Sequence, residues 1–259
     1  MDPPTQYPLL VFAISLIALW LSAWIGWWFR KRQGMLDEEL RDDFGFILAA
    51  TLTLLGLIIG FSFSMATSRY DQRKKYEEEE ANAIGTEYLR ADLLPDADAA
   101  RVRELLRNYL HERILFYQAH DGLELQQINA RTAQLQTELW SAVRVPGVKQ
   151  PTYVVGLAVS GMNDVLNSQG YTQAGYWDQI PTGAWALMAA IGIACNLLVG
   201  YGSHSVKAGS KLLPILPLIV SIALMFIADI DSPRHGIIRV RPQNLISLAE
   251  SLPLPAGAP

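Results

Sequence analysis

Apolar residues run without a single charge through Tyr7–Phe29, Phe44–Ser68, Gln179–Ser203 and Leu212–Ala228. Between the second and third of these stretches the pattern changes to short apolar faces at helical spacing, separated by charges. The first stretch has 23 residues, and at about 1.5 Å rise per residue it exceeds a hydrocarbon core of roughly 30 Å. It ends in Trp24, Trp27 and Trp28 followed by Arg30-Lys31-Arg32, an aromatic belt with a cationic edge that reaches to water. A cleaved signal peptide fits it less well, because no basic segment precedes the run and no small-residue cleavage site follows. The fourth stretch is the shortest, and Pro214 and Pro217 shorten its regular part further. The pattern therefore predicts four membrane helices over 7–29, 44–68, 180–203 and 211–229, a helical soluble domain over 69–178, and a C-terminal tail over 230–259.

The soluble segment predicts helices only. After Ser68 the helical pattern does not break before Leu94-Pro95, so the second span is expected to run on as one long helix rich in strong helix formers. Asp96 and Asp98 are candidate N-caps of a helix over 98–119, with Leu105, Leu106, Tyr109, Leu110 and Ile114 as its apolar face. Helices over 122–144 (Ala133, Leu135, Leu139, Trp140, Val143) and 152–167 (Val154, Val155, Leu157, Ala158, Val165) follow, with Val145-Pro146-Gly147 expected to end the first of them. The fold class is thus an all-α integral membrane protein with a helical domain inserted between its second and third spans. Residues 252–259, rich in Pro and Ala, are expected to be disordered.

Composition confirms two populations within 259 residues. Of 46 charged residues, 28 lie between Arg69 and Asp178. This excludes an ordinary soluble enzyme and a disordered chain, and a lone Cys195 excludes a disulfide scaffold. A net charge of −4 argues against nucleic acid as a partner. Orientation is not set by charge: the loops 30–43 and 204–211 carry six Lys or Arg (Arg30, Lys31, Arg32, Arg41, Lys207, Lys211). The opposite side carries seven close to the span ends (Arg69, Arg73, Lys74, Lys75, Arg234, Arg239, Arg241).

Catalytic chemistry is absent from the pattern. His111, His120, His204 and His235 are scattered, without carboxylate or Cys partners at ligand spacing, and no hydrolase, metalloprotease or phosphate-loop motif occurs. No enzyme activity and no cofactor is expected. The spans hold no charged residue, which counts against a proton-coupled transporter.

Chemistry concentrates on the second span. Thr53, Gly56, Gly60, Ser64 and Thr67 follow 3–4 spacing and form one stripe. Small residues permit close helix packing in membranes, and Gly56 and Gly60 make a GxxxG pair. Alternatively Thr53, Leu57, Phe61 and Ser64 or Ser68 line a narrow axis, where large apolar side chains one turn apart form a constriction that gates by dewetting. Beyond it, the run Glu77–Glu80 reads either as a solvated face paired with Arg73, Lys74 and Lys75 or, with Arg73, as a ring of charge around a vestibule in a symmetric oligomer. Arg73, Glu77 and Glu80 are the candidates for that ring.

Several blocks resemble a known family. Ser68-Arg69-Tyr70-Asp71-Gln72-Arg73, Glu80-Ala81-Asn82-Ala83-Ile84-Gly85-Thr86, Tyr88-Leu89-Arg90-Ala91-Asp92-Leu93-Leu94, Asn163-Asp164 before Leu166, Ile180-Pro181 and Ala228-Asp229-Ile230-Asp231-Ser232-Pro233 are similar to the bacterial bestrophin-like domain family of unknown function. Gly60-Phe61 leading into Arg69-Tyr70-Asp71, and Asp231-Ser232-Pro233, resemble bestrophin ion channels more distantly. The tryptophans of the bestrophin motif are absent, and Gln72 stands near their place. The resemblance implies a homo-oligomer, a pentamer in bestrophins, in the bacterial inner membrane. Its second helix would line an ion pore, with Thr53, Leu57 and Phe61 at the neck, and the soluble domain and both termini would be cytoplasmic. Its partners would be the lipid bilayer, further copies of itself and permeating ions. The place of the bestrophin calcium clasp reads Arg234-His235-Gly236-Ile237-Ile238-Arg239, basic and apolar, so no metal site is carried over; Asp229 and Asp231 remain as isolated candidates whose plainer role is capping. The alternative function is a non-conducting membrane scaffold or signalling protein whose helices over 70–144 bind a partner.

Overall fold

The computed structural model describes residues 4–33, 38–203 and 213–253. Among them the chain is all-helical, with no strand: α1 (Pro8–Gln33), α2 (Glu38–Arg90), α3 (Asp96–Gln118), α4 (Gly122–Lys149), α5 (Tyr153–Trp177), α6 (Thr182–Gly202), α7 (Ile215–Asp231) and α8 (Gln243–Ser251). Three stretches, Pro8–Arg32, Asp42–Leu93 and Tyr153–Gly202, contain helix long and apolar enough to cross a membrane. α7, with 17 residues, sits at the lower limit of about 17–25 for a span. The loop residues His204, Lys207 and Lys211 and the tail 254–259 lie outside the described residues.

The helices form two compact units. The first comprises residues 1–70 and 179–239. α1 and α6 carry little amphipathic contrast, so small residues rather than an apolar stripe decide how they meet. α1 packs on α6 and α7. At Gly26 an added Cβ would run into the Leu197 carbonyl oxygen, and at Gly200 into that of Ala23; each glycine lets its backbone meet the other's. Ser22 Oγ donates to the Ile193 carbonyl at 2.6 Å. Leu19, Leu55, Ala66, Met188, Cys195, Leu224 and Ile227 form the buried core. Arg30, Lys31 and Arg32 fall in the last turn of α1, where cations suit the carbonyl end of the helix dipole; Arg32 lies 3.7 Å from the centre of the Trp28 ring.

The second unit comprises residues 71–178 and 240–259. Here the apolar spacing does set the packing. Leu106, Tyr109, Leu110, Leu135, Leu139, Val143, Val155, Ala158 and Val165 are buried as the pattern predicts, while Ala133, Trp140, Val154 and Leu157 turn out to solvent.

Several element ends differ from expectation. α3 begins after Pro95, and Asp96 and Asp98 lie in its first turn without capping it; there they favour the helix dipole instead. Pro146 does not stop α4, which continues to Lys149. A proline this close to a C-terminus sacrifices one intrahelical bond, and the last turn still closes through Gln150 N–H to the Pro146 carbonyl at 2.8 Å. α5 runs ten residues beyond Asn167, from a Thr152 cap whose hydroxyl accepts from Val155 N–H at 3.2 Å. The stretch 230–259 is not simply a tail: Gln243–Ser251 is helical, and Leu245 is fully buried in the second unit.

Candidate functional site

The candidate face of α2 is built from residues one turn apart. At about 100° per residue, Thr53, Leu57, Phe61, Ser64 and Ser68 fall within one narrow sector, and Leu55, Ser62 and Ala66 fall on the opposite side. The two sides have opposite environments. Leu55, Ser62 and Ala66 are buried in the first unit, whereas Leu57 is 52% and Phe61 63% exposed. Thr53, Ser64 and Ser68 are exposed as well. Gly56 and Gly60 have nothing within 4 Å of an added Cβ, so within the protomer the GxxxG pair packs against nothing. The packing glycines are Gly26 and Gly200 instead.

The stripe is less polar than its sequence suggests. Thr53 Oγ1 donates to the Ala49 carbonyl at 2.8 Å and Thr67 Oγ1 to that of Phe63 at 3.0 Å. Threonine in a helix commonly bonds back one turn in this way. The threonine hydroxyl protons are consumed locally, and beside Ser64 and Ser68 the face offers methyl groups and the bulk of Leu57 and Phe61.

Three of the charges beyond Ser68 are turned inward. Arg73, Glu77 and Glu80, the expected vestibule residues, are 3%, 1% and 0% exposed, so in the protomer their charges are held by the protein. Glu80 is the centre of a buried network joining α2, α3 and α5. Arg113 Nε donates to Glu80 Oε1, and the Tyr117 and Thr172 hydroxyls donate to Oε2 at 3.2 and 3.1 Å. Burial opposes the charge on Arg113, but the Glu80 carboxylate outweighs it and holds the guanidinium more firmly protonated than usual. Burial, reinforced by Glu80, pushes the Tyr109 and Tyr117 phenols upward, so both stay neutral.

Glu77 does a different job. Its carboxylate accepts from the backbone N–H of Asn244 at 2.9 Å and of Leu245 at 3.0 Å, and from Asn244 Nδ2 at 2.6 Å. A carboxylate at the first turn of a helix satisfies orphan amides and suits the positive end of the dipole. Glu77 thereby pins α8 to α2. Glu77→Ala is expected to cost about 1–3 kcal/mol of this attachment, seen as faster hydrogen exchange over residues 243–252 with the amides of α3 unaffected. Of the run Glu77–Glu80 only Glu78 and Glu79 are exposed, and Lys75 pairs with Glu79 at 3.6 Å. The buried members of the run were not legible as such, because only the partners in α3, α5 and α8 distinguish them.

The Bestrophin-like domain model matches residues 13–245. The chain belongs to the Bestrophin-like domain family. No curated protein sequence matches it. Solved structures share its fold at low identity. A bacterial bestrophin homologue from Klebsiella pneumoniae, determined by zinc phasing, superposes with a TM-score of 0.59 at 12% identity, covering 95% of this chain and 99% of that one. A mutant of the Klebsiella homologue gives 0.61 at 11% identity, over 94% and 96% of the two chains. A mutant described as a membrane protein gives 0.59 at 12% identity, over 92% and 99%.

In this bestrophin-like chain the two isolated aspartates hold backbone amides outside the helices. Asp229 accepts from the backbone N–H of Ile237 at 2.7 Å and Ile238 at 2.9 Å, closing the turn after α7. Asp231 accepts from Ile180 N–H at 3.0 Å and lies 3.8 Å from Arg69, tying the entry of α6 to the end of α7. No group of three or more His, Cys, Asp or Glu able to hold a metal occurs among the described residues. One functional candidate was missed by the pattern. Glu87, on α2, is fully buried, yet nothing in its sequence neighbourhood marks it apart from the other acids of the helix.

Proposed function

We propose that this bestrophin-like protein is an oligomeric ion channel of the bacterial inner membrane, with four membrane helices per subunit and the α2 helices around a common axis. The observation that supports this most is the one-sided burial of α2. Its Leu55–Ser62–Ala66 side is buried inside the protomer, and its Thr53–Leu57–Phe61–Ser64–Ser68 side is exposed there. Glycines cost about 1 kcal/mol each in a helix interior relative to alanine, so Gly56 and Gly60 without a neighbour in the protomer fit a face that copies of the chain share. Thr53, Leu57 and Phe61 then stand as rings one turn apart, and the two large apolar rings make a constriction that opens by wetting. In this reading the helical unit and both termini are cytoplasmic and the oligomer is a pentamer, by analogy with bestrophins.

Two measurements test this together. The mass of the purified protein in detergent should be a multiple of the protomer, and liposomes containing it should pass small ions. A correctly assembled oligomer that passes no ion at any voltage or pH would replace the channel with a membrane scaffold.

A further inference from the structure

We infer that Glu87 is a proton-binding site which holds α2 against α5 only while its carboxyl is neutral. The inference concerns the packing of the second unit and is independent of the channel reading.

The geometry is that of a buried carboxyl that no hydrogen-bond donor meets. Glu87 is 0% exposed, and neither of its oxygens accepts a hydrogen bond from the protein. It crosses α5 at Gly161, where a Cβ would overlap Glu87 Oε2 and come within 2.5 Å of Arg90 Nη1. The missing side chain of Gly161 is the space the carboxyl occupies. Elsewhere in this unit buried acids are fully engaged: Glu80 has three donor side chains and Glu77 three donor groups on α8. Glu87 has none, and an ionised carboxylate without donors is the costly state of a buried acid.

The charged groups acting on it are Arg90, on its own helix, and Asp164, on α5. Arg90 also reaches across the contact, with Nη1 3.9 Å from Asp164 Oδ2. Burial raises the Glu87 carboxyl from 4.5 to about 8, Arg90 offsetting this and Asp164 adding to it. Loss of the proton would set two carboxylates in competition for one guanidinium. Arg90 would be drawn from Asp164, and the pair that ties α2 to α5 would loosen. The sign follows from linkage. The folded state holds the proton to higher pH than the unfolded chain, so the stabilisation is complete below 4.5, falls by up to tenfold in the folding equilibrium per pH unit, and is gone above about 8.

The test uses the full chain in detergent. Infrared difference spectra between about pH 6 and about pH 9.5 should show the carbonyl stretch of a protonated carboxyl free of hydrogen bonds, bleaching with a midpoint near 8. Glu87→Gln, the neutral isostere, should lack the band. Its thermal midpoint relative to wild type should rise with pH up to the same midpoint and then level. Asp164→Asn should keep the band and move its midpoint down. Absence of a protonated carboxyl band in the wild-type protein at about pH 6 overturns the inference without any variant. A Glu87→Gln stability profile parallel to wild type, or a band that persists in that variant, overturns it as well.

Discussion

Arg113→Met is expected to be the most damaging single change in the helical unit. Arg113 and Glu80 are both 0% exposed and bonded directly to each other. Removing the guanidinium leaves the Glu80 carboxylate buried with only the Tyr117 and Thr172 hydroxyls as donors. Breaking one partner of a buried pair typically costs about 3–5 kcal/mol, a large share of the roughly 5–15 kcal/mol that holds a domain folded. The Arg113 aliphatic stem and its stacking 4.4 Å from the Phe116 ring centre are also lost in part, though methionine refills most of that volume. Glu80→Leu should cost a similar amount for the opposite reason, since it strands the cation. The double variant should lose far less than the sum, because two apolar groups of similar bulk need no solvation and buried ion pairs are often replaceable in this way. Chemical or thermal unfolding of the four proteins measures the cycle. Additive losses would show that Glu80 and Arg113 act separately and that the network does not unite α2, α3 and α5.

That network also shows what a linear pattern can and cannot reveal. Uncharged runs and helical spacing located α1, α2 and α6 and the buried faces of α3, α4 and α5, because burial of an apolar stripe is a property of one element at a time. The fate of Glu77, Glu80 and Glu87 is not. They lie on one helix within three turns, all acidic, and the same residue type does three jobs: Glu77 caps α8, Glu80 receives Arg113, and Glu87 faces the bare backbone of Gly161. Each job is set by a partner 33 to 167 residues away or by the absence of one. Similarly, the GxxxG spelling of Gly56 and Gly60 does not say which glycines pack. Gly26 and Gly200 do so because their helices meet face to face, a fact that spacing within either helix does not carry. α8 escaped for a related reason: its nine residues are amphipathic but too few to stand as a helix by themselves, and Glu77 holds their first turn from across the unit.

The stripe on α2 gives the sharpest functional expectation. In the proposed oligomer each copy of Phe61 contributes a ring to one level of the axis, and Leu57 supplies the next level one turn away. A ring of large apolar side chains excludes water at a narrow radius, and ions cannot shed their hydration to pass it. Phe61→Ala widens that level and should raise ion flux into liposomes several-fold, with Leu57→Ala acting in the same direction. Neither change should cost much stability, since both side chains are more than half exposed in the protomer. Leu55→Ala supplies the contrast from the other side of the same helix. Leu55 is 3% exposed in the core of the first unit, so its truncation should cost about 2–5 kcal/mol without enlarging the axis. Flux that rises with Phe61→Ala and Leu57→Ala but not with Leu55→Ala places the axis on this face. Flux unchanged by Phe61→Ala and Leu57→Ala, in an oligomer that conducts, would turn the face toward lipid and move the pore to another helix.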